Sequence, residues 1–234
     1  MLQLPRLYAI LDAARFPNVA GMVAAAEELA AAGCPLLQYR NKSGSARQML
    51  DDARELRARL VGRAGREMLP PPATAELRSA WTGEGARPHT SASVKLIMND
   101  HADLCLAAGF DGLHVGQDDL SPEAARRIIG SNRWLGVSTH NPEQLAEADK
   151  TSADYLAIGP VFATASKANP DPVVGLAGVR RARELTRKPL VAIGGITRAN
   201  ARSVIDAGAD SVAVISDLLR DPLKSAEEFL RILG

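Results

Sequence analysis

The chain has 234 residues, of which 46% are hydrophobic and 24% charged, and 28 Lys and Arg side chains nearly balance 27 Asp and Glu. This profile is typical of a soluble globular protein of one or two domains. A formal charge of +1 excludes the broad basic surface of non-specific nucleic-acid binders, although a local basic pocket stays compatible with it. No apolar run approaches the roughly 20 residues that span a bilayer, and no signal peptide is evident. We therefore expect a cytoplasmic protein without membrane or nucleic-acid partners.

Short apolar segments alternate with helical patterns along the whole chain, as is typical of parallel strands buried on both faces. Strands are predicted at residues 6–12, 35–42, 94–99, 112–116, 133–139, 154–161, 189–194 and 210–215. Helices are predicted at 19–32, 46–60, 176–186, 198–207 and 225–233, with others that begin near His101, Ser121 and Asn141. Eight strands each followed by a helix predict one α/β domain over 1–234, a closed (β/α)8 TIM barrel. An open doubly wound sheet is the alternative.

Residues 62–93 interrupt this alternation with a stretch rich in Pro, Gly, Ala and Arg. A connection of this length is unusual in a compact domain. It joins the second helix to the third strand, which places it on the N-terminal face of a barrel, opposite the face that carries catalysis. We predict a surface insertion there, with Trp81 as its docking anchor.

The end of the second predicted strand is polar. Because strand side chains alternate between faces, Gln38, Arg40 and Lys42 share one face. At the carboxyl end of a barrel, the paired N–H donors of an Arg guanidinium and the ammonium group of a Lys would bind phosphate oxygens. The alternative is a strand end that runs into solvent.

Carboxylates follow the third and fourth predicted strands, at Asp100, Asp118 and Asp119. Carboxylates at adjacent strand ends can share Mg²⁺, which prefers one or two of them together with waters and substrate phosphate. The alternatives are that Asp100 caps the following helix and that the other two are solvated turn residues.

A second anion site is predicted after the last strands. Gly194 and Gly195 follow the seventh strand and Ser216 follows the eighth, where backbone N–H groups commonly bind phosphate in this fold. The loop 162–167 adds hydroxyl groups that flank Lys167. Two anion sites predict two phosphorylated substrates or one bisphosphate.

Six motifs carry a family resemblance: QYRNK (38–42), the segment 98–120, GVSTH (136–140), GPVFATASK (159–167), AIGGIT (192–197) and VAVIS (212–216). Together they resemble the thiamine-phosphate synthase family. The resemblance implies a (β/α)8 transferase that couples a pyrimidine-methyl pyrophosphate with thiazole phosphate. It also implies a dissociative mechanism in which pyrophosphate leaves before the thiazole nitrogen attacks.

The resemblance implies roles for particular residues. Those implied for the pyrimidine pyrophosphate are Gln38, Tyr39, Arg40, Asn41, Lys42, Asn99, Ser138 and Lys167, of which Arg40, Lys42, Ser138 and Lys167 are expected to be catalytic. Those implied for thiazole phosphate are Thr164, Ala165, Ser166, Gly195, Ile215 and Ser216. One Mg²⁺ per subunit is expected on Asp100 and Asp119, with Asp118 facing away.

The sequence departs from the family pattern at His101, Ala163 and Ser166, none of which removes a charged role. A paralogous thiazole tautomerase is one rival, with His140 as its proton-shuttling candidate. A Schiff-base aldolase and a non-catalytic barrel that binds a thiamine precursor are the others. A homo-oligomer is compatible with the sequence.

Overall fold

The structure, a computed structural model, describes residues 2–61, 94–164 and 171–234. Across them eight strands alternate with eight helices. The strands are β1 (Leu7–Asp12), β2 (Leu36–Arg40), β3 (Lys95–Asn99), β4 (Gly112–Val115), β5 (Trp134–Thr139), β6 (Tyr155–Ile158), β7 (Leu190–Ile193) and β8 (Ser211–Val214). The helices are α1 (Val19–Ala31), α2 (Ala46–Val61), α3 (Ala102–Ala108), α4 (Pro122–Ile129), α5 (Pro142–Asp149), α6 (Gly175–Leu185), α7 (Ala201–Asp206) and α8 (Pro222–Leu233). The predicted insertion at 62–93, with Trp81, lies outside the described residues.

All eight strands are parallel and close into one barrel. Strand β1 pairs with β2 through Ala9 and Leu37, and on its other edge with β8 through Ala9 and Val214. This closure confirms the predicted (β/α)8 barrel and excludes the open sheet.

The hydrophobic core has two layers, because side chains of a strand alternate between its faces. In β1, Leu7, Ala9 and Leu11 pack outward with the helices, whereas Tyr8 and Ile10 belong to a separate cluster inside the barrel. The same alternation decides which residues of each strand reach the barrel interior, where the polar residues described below lie.

Two helices begin at different residues from those predicted. Helix α8 begins three residues earlier, because Asp221 caps it through a 3.3 Å bond from the Lys224 N–H and Pro222 occupies its first turn. Helix α7 begins three residues later, because the side chain of Asn200 accepts a 2.8 Å bond from the Thr197 N–H and closes a turn first.

Aspartates tie strands together at the amino ends of the barrel. Each precedes one strand and accepts a backbone N–H at the start of the preceding strand: Asp111 from Leu96 at 2.9 Å, Asp154 from Leu135 at 2.7 Å and Asp210 from Leu190 at 2.8 Å. Each also pairs with a cation, respectively Lys95, Arg126 and Arg183. This end of the barrel is therefore fastened by ion pairs, in agreement with a stabilising role.

The two cysteines are unpaired and buried. Burial raises the pKa of Cys34 to about 11 and that of Cys105 to about 12, so both stay protonated at neutral pH. Among the described residues, no helix has the length and apolar character needed to cross a membrane.

Candidate active site

Strand β2 contributes three polar side chains to the carboxyl end of the barrel. Gln38 Nε2 donates to the hydroxyl of Tyr8 inside the barrel at 2.8 Å. Arg40, at the strand's last position, and Lys42, two residues on, are each held by a carboxylate. The structure therefore brings the predicted trio to one side of the strand.

Tyr39 and Asn41 have the opposite orientation. The Tyr39 hydroxyl donates to Asp52 of α2 at 2.9 Å, and Asn41 Nδ2 donates to the Tyr39 hydroxyl at 3.2 Å. The side-chain Oδ1 of Asn41 accepts the N–H groups of Ser43 and Gly44 and shapes the turn. The structure thus does not bring these two predicted substrate-binding residues into the group.

Asp12, at the end of β1, holds Arg40. Its Oδ2 accepts from Arg40 Nη1 at 2.6 Å, and its Oδ1 accepts the N–H of Ala14 at 3.2 Å. Asp12 is buried, and it lies opposite Arg40 in the register of β1 and β2. Because both carboxylate oxygens are engaged, the guanidinium has a fixed partner that leaves its other N–H donors for a ligand.

Asp100 has an unusual backbone conformation. It is the one residue other than glycine with a positive φ, 65°, within residues 2–61, 94–164 and 171–234. Its N–H donates to the His114 carbonyl at 2.8 Å, and its Oδ2 accepts from Lys42 Nζ at 2.5 Å. His101, not Asp100, is the residue at the start of α3. Left-handed backbone at such a residue is typical of functional sites.

The carboxyl groups of Asp100 and Asp119 hydrogen-bond to each other. Burial raises the pKa of Asp100, the contact with Asp119 raises it further, and Lys42 offsets part of the rise. Burial also acts on Asp119, but its bonds with Asp100 and the Gly116 N–H keep its pKa below the ordinary value. Two carboxyl groups this close to each other can share a divalent cation.

This donor set fits Mg²⁺ better than a metal that needs a full protein cage. Among the described residues, no cluster of three or more His, Cys, Asp or Glu could hold a metal. Two carboxylates leave room for waters and substrate oxygens, as Mg²⁺ prefers. Asn99 is 8% exposed, and its Nδ2 has no hydrogen-bond partner in the part of the chain that the structure describes, so a donor beside Asp100 also remains available.

A chain of buried hydrogen bonds crosses the barrel interior below these charges. It runs from Gln38 to Tyr8 at 2.8 Å, from Tyr8 to Tyr155 at 3.1 Å, from Tyr155 to His114 Nδ1 at 3.1 Å and from His114 Nε2 to Ser138 at 2.8 Å. Burial lowers the pKa of His114 to about 4, so the ring is neutral at pH 7. Ser138 is thus oriented by a neutral imidazole.

The sequence motifs did not identify Tyr8, Tyr155, Asp12 or His114 as site residues. Gly136 supplies the space for this chain, because a Cβ there would lie 2.1 Å from Tyr155 Cζ and 2.4 Å from His114 Nδ1. The alternation of side chains along each strand could have identified His114, because it lies opposite Asn99 in the register of β3 and β4.

The second predicted anion site lies at the ends of β7 and β8. Gly194 and Gly195 have φ values of 101° and 63°, and a Cβ on Gly195 would lie 2.5 Å from the Ala163 carbonyl oxygen. Phe162 N–H donates to the Gly194 carbonyl at 3.0 Å, so the segment that leads to Thr164 lies against this loop. Ser216 is exposed, and Ile215 is half-buried beside the interior cluster. Ala165, Ser166 and Lys167 lie outside the described residues.

A closed barrel with charged and glycine-rich strand ends belongs to the (β/α)8-barrel enzymes, which carry catalysis at that face. The family described as thiamine monophosphate synthase matches residues 74–218. A thiamine-phosphate synthase of Koribacter versatilis (strain Ellin345) is 57% identical and covers 99% of this chain and 97% of its own length. One of Chloroflexus aurantiacus is 40% identical, covering 97% and 92%. The chain belongs to the thiamine-phosphate synthase family, and it is an enzyme.

Solved structures agree with this assignment. A thiamine phosphate pyrophosphorylase from Pyrococcus furiosus superposes with a TM-score of 0.76 at 30% identity, covering 97% of this chain and 95% of its own. A KDPGal structure superposes with a TM-score of 0.65 at 14% identity, covering 99% and 95%, and shows the shared fold alone.

Proposed function

We propose that this enzyme joins 4-amino-2-methyl-5-(diphosphooxymethyl)pyrimidine to thiazole phosphate and forms thiamine phosphate and pyrophosphate. The C–O bond between the methylene carbon and the pyrophosphate breaks, and its electron pair leaves with the pyrophosphate. The thiazole nitrogen then donates its lone pair to the methylene cation and forms the new C–N bond. No proton has to move between the reacting atoms, so the protein acts by stabilising charge and positioning.

The observation that carries this proposal is the charged cluster at the ends of β2, β3 and β4. Arg40 and Lys42 lie there with Asp100 and Asp119, and Asn99 Nδ2 has no partner among the residues that the structure describes. Cations, a pair of carboxylates and an unpaired amide on one rim fit a pyrophosphate with its divalent ion. Lys167, from the loop after β6, would add a further positive charge.

The proposed Mg²⁺ would be held by Asp100 and Asp119. When bound, the ion would neutralise charge on the leaving pyrophosphate. Lys42 Nζ contacts Asp100 at 2.5 Å, so its ammonium group can stay bound to this carboxylate or rotate to bind a phosphate oxygen. Arg40 would keep Asp12 as its partner and use its remaining donors for the pyrophosphate.

The buried chain below this cluster forms the floor on which the pyrimidine would rest. Gln38 and Ser138 stand at its two ends and supply polar groups, whereas Tyr8, Tyr155 and neutral His114 fix their orientation. Because none of these side chains is ionised, this floor excludes water and presents no charged nucleophile that would compete for the methylene cation. We assign Ser138 to orientation of the pyrimidine, held by His114.

The second substrate would bind with its phosphate at the ends of β7 and β8. The backbone of Gly195 and the hydroxyl of Ser216 are the proposed contacts, with Thr164, Ala165, Ser166 and Ile215 around them. Gly194 and Gly195 both have a positive φ, and turns with left-handed residues can present successive backbone N–H groups to an anion.

The tautomerase rival depends on His140. Its Nδ1 lies 2.7 Å from the Gly159 carbonyl oxygen, and its backbone N–H donates to Gln144 Oε1. This contact orients the ring and does not by itself distinguish the two reactions. The relatives named thiamine-phosphate synthase favour coupling over isomerisation.

Pyrophosphate release from the two substrates, measured with and without Mg²⁺, tests the proposal. We expect release to require both substrates and Mg²⁺ and to yield thiamine phosphate. Asp119→Asn should abolish pyrophosphate release at ordinary Mg²⁺ concentrations, whereas Asp118→Asn, the adjacent exposed carboxylate, should behave as wild type. Folded wild-type enzyme that releases no pyrophosphate, or equal loss in both variants, would contradict it.

A further inference from the structure

An ion-pair cluster joins the loop after β7 to the turn after β8. Asp217 Oδ2 accepts the Arg198 N–H at 2.9 Å and Arg198 Nε at 3.1 Å, and its Oδ1 accepts Arg198 Nη2 at 3.1 Å. Arg198 Nη1 donates to Glu228 of α8. One side chain therefore binds both oxygens of a carboxylate on the neighbouring loop and also contacts a helix behind it.

This cluster lies immediately behind the second anion site. Asp217 directly follows Ser216, and Arg198 is three residues after Gly195 in the same loop. The carbonyl of Gly195 accepts a 3.1 Å bond from Asn200 Nδ2, and the same side chain accepts the N–H of Thr197. The distance between the two loops is thus set by the contact of Arg198 with Asp217.

The charge of Asp217 matters for an anionic ligand. The carboxylate is buried, and although burial alone would raise its pKa, the hydrogen bonds from Arg198 hold the pKa below the ordinary value. Asp217 is therefore ionised next to Ser216. An unneutralised buried carboxylate at this position would repel a phosphate, because like charges interact strongly where water is excluded.

We propose that Arg198 and Asp217 are positioning residues for the thiazole phosphate, Arg198 by neutralising Asp217 and by fixing the loops that carry Gly195 and Ser216. This inference rests on the proposed function, and it assigns both residues a role in substrate affinity rather than in the chemical step. Neither residue needs to touch the phosphate for this role.

Three variants test the two parts of this role. Arg198→Gln leaves Asp217 charged and without its cation, and the double variant Arg198→Gln with Asp217→Asn removes that charge while keeping a neutral pair. Arg198→Lys restores the charge without the planar fork. Arg183→Gln is the matched control. Arg183 of α6 binds Asp210 at 2.8 Å, and Asp210 links the same two strands, β7 and β8, at the opposite end of the barrel.

Direct calorimetric titration with thiazole phosphate and the KM of each substrate are the readouts. We expect Arg198→Gln to weaken thiazole phosphate binding about tenfold or more, with the KM of the pyrimidine substrate changed less than about twofold. The double variant should regain most of the affinity, and Arg198→Lys should lie between. Recovery on removing the second side chain would assign the loss of affinity to the unpaired charge of Asp217.

Three results would overturn the inference: equal rises of both KM values in Arg198→Gln, no recovery in the double variant, or the same loss of affinity in Arg183→Gln. Wild-type enzyme that does not bind thiazole phosphate would overturn it as well. The calorimetry requires no turnover. Normal binding and variant behaviour without thiamine phosphate formation would therefore refute the proposed function and leave this inference standing.

Discussion

Asp12 and Arg40 end two adjacent strands and meet there at 2.6 Å, the carboxylate buried and the guanidinium half-buried. Their contact differs from a surface ion pair, because Asp12 also accepts a backbone N–H and cannot turn away freely. Arg40 is thereby held at the carboxyl end of the barrel by one of its donors, and its other donors are the ones that we propose for the pyrophosphate.

Replacing Arg40 by lysine tests this arrangement, because lysine keeps the charge but cannot bind Asp12 and a phosphate with separate fixed donors. We expect Arg40→Lys to lower kcat/KM for the pyrimidine substrate by about 10- to 100-fold, the loss of one charge-assisted hydrogen bond. Arg59→Lys is the control, since Arg59 binds Glu27 on the exterior between α1 and α2 and should be silent. Unchanged kinetics in Arg40→Lys would contradict the role.

Asn99 presents a second test, because a buried amide without a partner lowers stability unless a ligand uses it. Among the described residues, Asn99 Nδ2 and Ser225 Oγ are the buried side-chain polar atoms that lack a hydrogen bond. We expect Asn99→Leu to raise the free energy of unfolding by about 1 kcal/mol and to lower kcat/KM at least about tenfold. Ser225→Ala, in α8, should be neutral or stabilising with full activity. Denaturant unfolding and steady-state kinetics measure both effects.

Gly136 tests the buried hydrogen-bond chain. In Gly136→Ala the new methyl group would collide with Tyr155 and His114, so we expect about 1–3 kcal/mol of destabilisation and a lower kcat through displacement of Ser138. Gly21→Ala, in α1, is the matched control, because a Cβ on Gly21 would lie 3.7 Å from its nearest neighbouring atoms. That variant should gain up to about 1 kcal/mol from helix propensity. Full activity in Gly136→Ala would show that the chain does not orient Ser138.

Gly195 tests the second anion site. Gly195→Ala introduces a side chain at a φ of +63° and 2.5 Å from the Ala163 carbonyl oxygen, so we expect the KM for thiazole phosphate to rise at least about tenfold. Gly109→Ala also has a left-handed φ, +68°, but it ends α3 away from the site. Both variants should lose stability, and only Gly195→Ala should lose affinity. A rise of KM in both would assign the effect to the barrel as a whole.

The pKa of Asp217 predicts an acid-sensitive contribution to stability. Its pKa in the folded protein lies below the ordinary value of 3.8, so the folded protein binds fewer protons than the unfolded chain between these two pKa values. The contribution is therefore complete above about pH 5 and is lost as the pH falls through the ordinary and then the folded pKa. Asp217→Asn should flatten this part of the pH dependence in urea unfolding. A parallel acid decline in both proteins would contradict the assignment.

The sequence was sufficient for the fold because each buried strand and each cap is a local signal. It also located the charged rim, since Arg40, Lys42 and Asp100 directly follow apolar segments. It assigned Tyr39 and Asn41 to the substrate on motif position, although the period of two places them on the other face of β2.

The interior chain could not be found in the same way. Tyr8 and Tyr155 lie within apolar segments and look like core residues, and their hydroxyl groups meet across the barrel from positions 147 residues apart. Arg198 and Asp217 were missed for a related reason, because only the pairing of β7 with β8 brings the two loops together. Local patterns identify which residues are polar, whereas barrel closure decides which of them touch.

The aspartates at the amino ends of the barrel fasten β3 to β4, β5 to β6 and β7 to β8, on the face away from every proposed substrate contact. These aspartates therefore maintain the alignment of the strands in each pair, and selection for a new ligand would not need to change them. Variants that exchange the mouth residues for another phosphorylated substrate begin from a barrel whose register is already secured. The separation of alignment from recognition makes this scaffold tolerant of changes in specificity.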